Sequence, residues 1–218
     1  MTIEFWSLQR LNEMTKKGEG VRLEFKKKAN FPDKIAKELV AFANTQGGIL
    51  LLGVDDDGTV SGTRDIEGEV FVLEQAIDSL IWPRLNYSLQ ILKLNEKKGI
   101  AVLQVEKGDK LPLQLRDSPD TRAGKVYVRV GEQSLQASKE MREILRRRVK
   151  AKDTQFTFGE KERKLMELLE SNSAITLTEY AKAANISKFM ASRTLIKLVL
   201  SNVVEIQPEE GQDLYFRK

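Results

Sequence analysis

The chain has 218 residues, 41% of them hydrophobic, and a formal net charge of +4, a length expected for one large or two small domains. It contains neither cysteine nor histidine, which excludes disulfides, thiol nucleophiles, histidine-based triads and zinc held by imidazole or thiolate. Any chemistry falls to carboxylates, lysine, hydroxyls or a hard cation held by oxygen.

Taken in chain order, residues 4–17 read as a short amphipathic helix with Leu8, Leu11 and Met14 on one stripe, broken by Gly18 and Gly20. "VRLEFK" then alternates, Leu23 and Phe25 pointing one way and Glu24 and Lys26 the other, as a half-buried strand requires. Pro32 to Asn44 reads as a helix whose buried side is Ile35, Leu39, Val40 and Phe42. "TQGG" ends it, with Gly47 or Gly48 in a left-handed conformation. "ILLLGV" follows as a central strand, "DDDG" as a turn and "TVSG" as the start of a return strand.

"EGEVFVLEQAIDSLI" predicts a second helix stopped by Pro83, and Ser88–Leu94, Gly99–Glu106 and Lys125–Val130 predict three strands. Between the last two lies "DKLPLQLRDSPDTRAG", a loop with the composition of a binding surface. A helix over Ser138–Lys152 carries the densest positive charge, including "RRRVKAK", and the loss of apolar periodicity in "AKDTQFTFG" places a domain boundary at residues 150–158. The remainder reads as two helices, "EKERKLMELLES" and "TLTEYAKAAN", then "SKFMASRTLIKLVLS" capped by Ser187, then a hairpin turning at Glu210-Gly211. That order is a winged helix-turn-helix pattern. The expected fold class is therefore α+β: a mixed sheet with flanking helices over residues 1–150, followed by a small winged helix-turn-helix over residues 156–218.

Four separated stretches, "GEGVRLEFKKK", "AFANTQGG", "ILLLGVDDDGTVSG" and "VYVRVGEQS", resemble the Schlafen-type Alba-like domain over about residues 15–140. The resemblance implies a nucleic-acid-binding domain, catalogued as DNA-binding and sometimes as a divergent ATPase. In bacterial members with a C-terminal winged helix it implies a transcriptional regulator. One departure is Gly20, where the family commonly has serine. No G-x-x-x-x-G-K-[ST] phosphate loop is present, so ATP hydrolysis is not expected.

In eukaryotic Schlafen proteins a related core is an endoribonuclease using three acidic residues. The resemblance carries these onto Glu19, Glu24 and Asp56, with Asp55 as the adjacent alternative and Lys26 as a water-orienting partner. They would hold Mg²⁺ or Mn²⁺ for phosphodiester cleavage. The plain alternative is an exposed Glu24–Lys26 ion pair beside an ordinary aspartate turn.

For nucleic-acid contact the candidates are Lys26, Lys27, Lys28, Arg122, Lys125 and Arg129, extended along one helix by Arg146 and Arg147. On the recognition helix they are Lys188, Ser192, Arg193 and Lys197. Of 36 Lys+Arg and 32 Asp+Glu, 27 and 23 lie in residues 1–153, leaving nine of each beyond; attraction to phosphate is therefore expected in the first domain. The acidic hairpin "QPEEGQD" speaks against strong DNA binding by the second domain alone, and leaves open a protein-interaction role. The leading expectation is a cytoplasmic, homodimeric, DNA-binding regulator; DNA is favoured over RNA, and no membrane association is expected because no stretch of ~18 apolar residues exists.

Overall fold

The computed structural model describes residues 5–148 and 158–218. The chain divides into two compact units, Met1–Ser134 and Leu135–Lys218.

In the first unit α1 is Leu8–Thr15, β1 Leu23–Lys26, α2 Pro32–Asn44, β2 Gly48–Leu52 and α3 Ile66–Leu80. There follow β3 (Ile81–Trp82), β4 (Tyr87–Lys93), β5 (Gly99–Val105), β6 (Gln114–Leu115) and β7 (Tyr127–Val130). β8 (Gln133–Gln136) pairs with β7 and carries the chain over the unit boundary. The main sheet has the order β1-β2-β5-β4, parallel between β1 and β2 and antiparallel elsewhere.

Helix α2 begins with Pro32 at a position where the missing N–H costs nothing. It ends where Gly47 turns left-handed at φ +74° and donates its N–H to the Phe42 carbonyl at 2.8 Å. Only glycine fits there, since a Cβ would lie 2.6 Å from the Val105 carbonyl oxygen. Asp65 caps α3 by accepting the Gly68 N–H at 3.0 Å.

Both faces of the sheet are covered. On one, Leu50, Leu52, Ala101 and Leu103 pack against Ile35, Leu39 and Phe42 of α2 and Leu73 and Ile77 of α3. On the other, Leu23, Phe25, Leu51, Ile100 and Val102 pack with Trp6 and Leu11. The alternation in β1 therefore holds, but the face bearing Glu24 and Lys26 is not solvent: Glu24 is only 6% exposed. The return strand expected at "TVSG" does not form. Asp55–Gly58 closes a turn, with the Gly58 N–H on the Asp55 carbonyl at 2.9 Å, and the left-handed Gly62 then redirects the chain.

The second unit contains α4 (Lys139–Arg148), α5 (Glu160–Ser171), β9 (Ile175–Thr176), α6 (Leu177–Ala183), α7 (Lys188–Leu200), β10 (Val204–Glu209) and β11 (Gln212–Arg217). The last two strands form a hairpin, with β9 joining its β11 edge. Thr176 and Glu179 form a reciprocal capping box that starts α6, and the Ser187 hydroxyl accepts the Met190 N–H to start α7. Leu165, Tyr180, Leu195, Leu198, Val204 and Tyr215 make the core.

Helix α4 belongs to this unit, not to the first as expected. Its Ile144, fully buried, is part of the same core. Ser138 caps it by accepting the Met141 N–H and donates its own hydroxyl to the buried Asp213 of β11. The expected extension of this helix to Lys152, and the expected boundary at residues 150–158, fall largely outside the described residues. Among the described residues no helix is long and apolar enough to cross a membrane.

Candidate functional site

The candidate carboxylates of the first unit do meet other charged groups, but not each other around a cation. Glu24 projects from β1, an edge strand, towards the side covered by α2, where water is scarce. Two cations neutralise it: the Lys26 ammonium, which also donates to the Phe25 carbonyl at 2.8 Å, and the Arg129 guanidinium, with Nη2 2.6 Å from Oε2.

Arg129 comes from β7, and its side chain is wholly buried. Its Nη1 binds Glu38 of α2 at 2.7 Å, its Nε and Nη2 donate to the Gly20 carbonyl at 3.1 and 3.0 Å, and its Cζ lies 5.0 Å from the centroid of the Phe42 ring. Ser134 adds a hydroxyl bond to the same Glu38 carboxylate. Arg129 is thus not a phosphate contact; it is the internal tie among β1, α2 and the segment around Gly20. Glu38 and Ser134 were not legible as partners in the sequence, because nothing local marks them.

Glu19 reaches back along the chain and accepts the Phe25 N–H at 2.7 Å. Burial raises its pKa above the ordinary carboxylate value, the Phe25 hydrogen bond pulling in the opposite direction and the charge of Glu24 adding to the rise. The aspartates sit in the turn after β2. Asp55 is held by Lys27 at 2.6 Å and by the Ser61 hydroxyl. Asp56 is exposed, and Asp57 accepts the Thr59 N–H at 2.8 Å, which lowers its pKa.

Among the described residues no three acidic side chains converge to hold a metal ion. The set Glu19, Glu24 and Asp56, or Asp55 in its place, does not fit Mg²⁺ or Mn²⁺: Glu24 already carries two cationic partners, and Glu19 is turned to a backbone amide. Lys26 is likewise engaged with Glu24.

The other cations of the first unit are at the surface. Lys28, Arg122 and Lys125 are exposed, Lys125 lying 3.6 Å from Asp117, and Lys27 is engaged with Asp55, which raises its pKa.

The second unit offers a different arrangement. Between α4 and α7 runs a groove of about 480 Å³ lined by Lys139, Arg142, Arg146, Arg147 and Arg193, with Glu143 as its acid. Glu143 is shared by Arg146 at 2.8 Å and Arg147 at 2.7 Å, so one carboxylate offsets only part of five positive charges. Phe189 stands at the rim, 61% exposed, with the Arg193 guanidinium 5.6 Å from its ring.

Among the recognition-helix candidates, Lys188 and Arg193 are exposed and Lys197 is half-buried. Ser192 is occupied: its hydroxyl donates to Glu140 of α4 at 2.6 Å. The sequence marked α4 as basic but gave no sign that its partner would be α7.

The charge balance moves with α4. Counted over Met1–Ser134 the chain has 20 Lys+Arg and 20 Asp+Glu; over Leu135–Lys218 it has 16 and 12. The first unit is electrically neutral and the second carries the whole excess of +4, the reverse of the expectation from the sequence.

The family model for Schlafen, AlbA_2 matches residues 19–138. The chain belongs to this family. The match takes in β1, the α2–β2 passage and β7, where the Glu24–Arg129–Glu38 tie lies.

No curated protein sequence matches this Schlafen AlbA_2 chain. Among solved structures it is similar to the N-terminal domain of a Nitrosomonas europaea protein described as related to the ATP-dependent DNA helicase RecG. That likeness has 24% identity and a TM-score of 0.44, covering 59% of this chain and 92% of that one. A second likeness is to the DIP2311 protein of Corynebacterium diphtheriae, with 19% identity and a TM-score of 0.38, covering 55% of this chain and 22% of that longer one. At these scores neither structure bears on function.

Proposed function

We propose that this Schlafen AlbA_2 protein binds nucleic acid, and that its second unit is a winged helix-turn-helix that grips duplex DNA in the manner of a transcriptional regulator. The observation that carries this reading is the groove between α4 and α7, with five cations against one shared carboxylate. Arg146 and Arg147 share Glu143, whereas Arg142 and Arg193 form no ion pair among the described residues, and phosphate is the anion that the geometry of forked donors suits best.

The order α5, α6, α7 and the β10–β11 hairpin supports the winged-helix reading. The N-terminal half of α7 leaves Lys188, Phe189 and Arg193 exposed, and recognition helices contact base edges with their first turns. The hairpin tip, with Glu209 and Glu210, is unsuited to a phosphate backbone. In this reading α4 supplies the charge that a wing supplies elsewhere. A homodimer on a symmetric site is the quaternary form such regulators take. The metal-dependent endoribonuclease reading is not favoured by any arrangement of its candidate residues.

The test is fluorescence anisotropy of a labelled duplex titrated with the full chain at several salt concentrations. Binding is expected to weaken steeply with salt, and the Arg146→Ala, Arg193→Ala double variant is expected to flatten that dependence by about 0.9 in log–log slope per lost phosphate contact. Salt-independent binding, or none, refutes the proposal.

A further inference from the structure

The first unit carries an aromatic platform that neither the family nor the groove accounts for. The two-residue strand β3 pairs with β6, Ile81 opposite Leu115 and Trp82 opposite Gln114. Alternation turns Ile81 inward, at 6% exposure, and Trp82 outward, at 50%. The indole is held where it stands by strand pairing and by Arg116, whose Cζ lies 5.4 Å from the ring centroid.

Arg116 is itself anchored. Its N–H donates to the Leu80 carbonyl at 2.8 Å and its Nη1 to the Pro119 carbonyl at 3.2 Å. An exposed aromatic backed by a fixed cation is a prepared stacking surface, with little side-chain freedom left to lose on binding.

A cleft begins at the next residue. Pro83 and Arg84 line it together with Asn86, Asp109, Lys110 and, at its apolar floor, Leu113. Its volume of about 230 Å³ gives room for a single sugar phosphate. Arg84 and Lys110 face one acid, Asp109, so the lining favours an anion. Aromatic face and cationic cleft are the two halves of a nucleotide: a ring to stack and a phosphate to neutralise.

We infer that Trp82 and the cleft at Arg84 and Lys110 form a site for an unpaired nucleotide of a single-stranded nucleic acid, the base lying on the indole and the adjoining phosphate between the two cations. A duplex does not suit this site, because its bases stack on one another and present only their edges. The inference rests on the reading of this chain as a nucleic-acid-binding protein, but uses a surface separate from the α4–α7 groove.

Tryptophan fluorescence tests it directly, because the chain has two tryptophans: Trp82, half exposed, and Trp6, buried at 6%. Titration with an unstructured pyrimidine oligonucleotide is expected to quench the emission saturably and less strongly as salt rises. Trp82→Phe should abolish the quench. Arg84→Ala with Lys110→Ala should weaken the affinity about tenfold, and circular dichroism should show both variants folded.

An unquenched wild type, or an equal quench in Trp82→Phe, overturns the inference. So does saturation by a free pyrimidine mononucleotide at the same concentration as by the oligonucleotide, which would mean that no strand is required. A labelled duplex arm separates the two proposals. Duplex binding without the quench sinks the Trp82 site alone, and the quench without duplex binding sinks only the α4–α7 reading.

Discussion

The chain uses arginine in two opposite ways: Arg129 in the first unit is buried among acceptors, whereas Arg142, Arg146, Arg147 and Arg193 in the second are exposed. Arg129 is surrounded by acceptors, Glu24 and Glu38 among them, and has no exposed surface. Once desolvated, such a charge is worth only what its fixed partners return, and it becomes part of the architecture. The α4–α7 groove is lined by five exposed cations and one carboxylate, Glu143, which pairs with Arg146 and Arg147. Charge that is already satisfied inside holds a fold together; charge left over at a surface recruits a partner.

The largest expected effect breaks the first half of that contrast. Arg129→Ala strands two carboxylates, Glu24 and Glu38, in poorly hydrated surroundings, and should cost about 3–5 kcal/mol of stability. A urea titration of the full chain checks this. Unchanged stability with lost nucleic-acid binding would return Arg129 to the list of phosphate contacts.

The second half is tested by exchanging positions. Arg146→Ala with Arg193→Ala should lower duplex affinity by about tenfold at moderate salt, since two phosphate contacts are lost. Lys27→Ala with Lys28→Ala in the neutral first unit should change it by no more than about twofold. Equal losses would mean that excess charge does not decide where duplex binds.

A smaller effect concerns pH. Burial favours the protonated form of Glu19 in the folded chain, so its pKa there lies above the ordinary 4.5. Between those two values the folded state holds the proton that the unfolded state has released. Stability therefore falls as pH rises through the window just above 4.5, and the deficit persists at higher pH. Glu19→Gln keeps an acceptor for the Phe25 N–H and should flatten this part of a stability–pH curve measured by urea midpoints. The smallest effect is that of divalent metal. Millimolar Mg²⁺ or Mn²⁺ should raise the unfolding midpoint no more than NaCl of equal ionic strength; a larger rise would reopen the metal reading of Glu19, Glu24 and the aspartates.

Much of the first unit was legible because its signals are local. The span Pro32–Asn44 is bounded by a proline and by a glycine turn, and both act within a few residues. The run "ILLLGV" covers all of β2 but its first residue, Gly48, and the parity of Leu23 and Phe25 assigned them to a core. The opposite face of β1 was misread as solvent because its cover, Arg129, lies 105 residues away from Glu24. That α4 packs with α7 escaped the sequence for a similar reason. Met141, Ile144 and Leu145 mark α4 as having a buried stripe, but an apolar stripe does not name the core it joins. The acidic set was the least legible: the resemblance supplied three carboxylates, and only geometry reveals that two cations pair with Glu24.

The tie between Arg129 and the Gly20 carbonyl has a consequence for the ribosome. The segment around Gly20 and the edge strand beside it are made first, and the buried side chain that completes the neutralisation of Glu24 follows only after about another hundred codons have been read. Until then Glu24 has only its neighbour Lys26 as a counter-ion, so the buried tie that joins β1 to α2 and to the segment around Gly20 cannot be completed before β7 has been made.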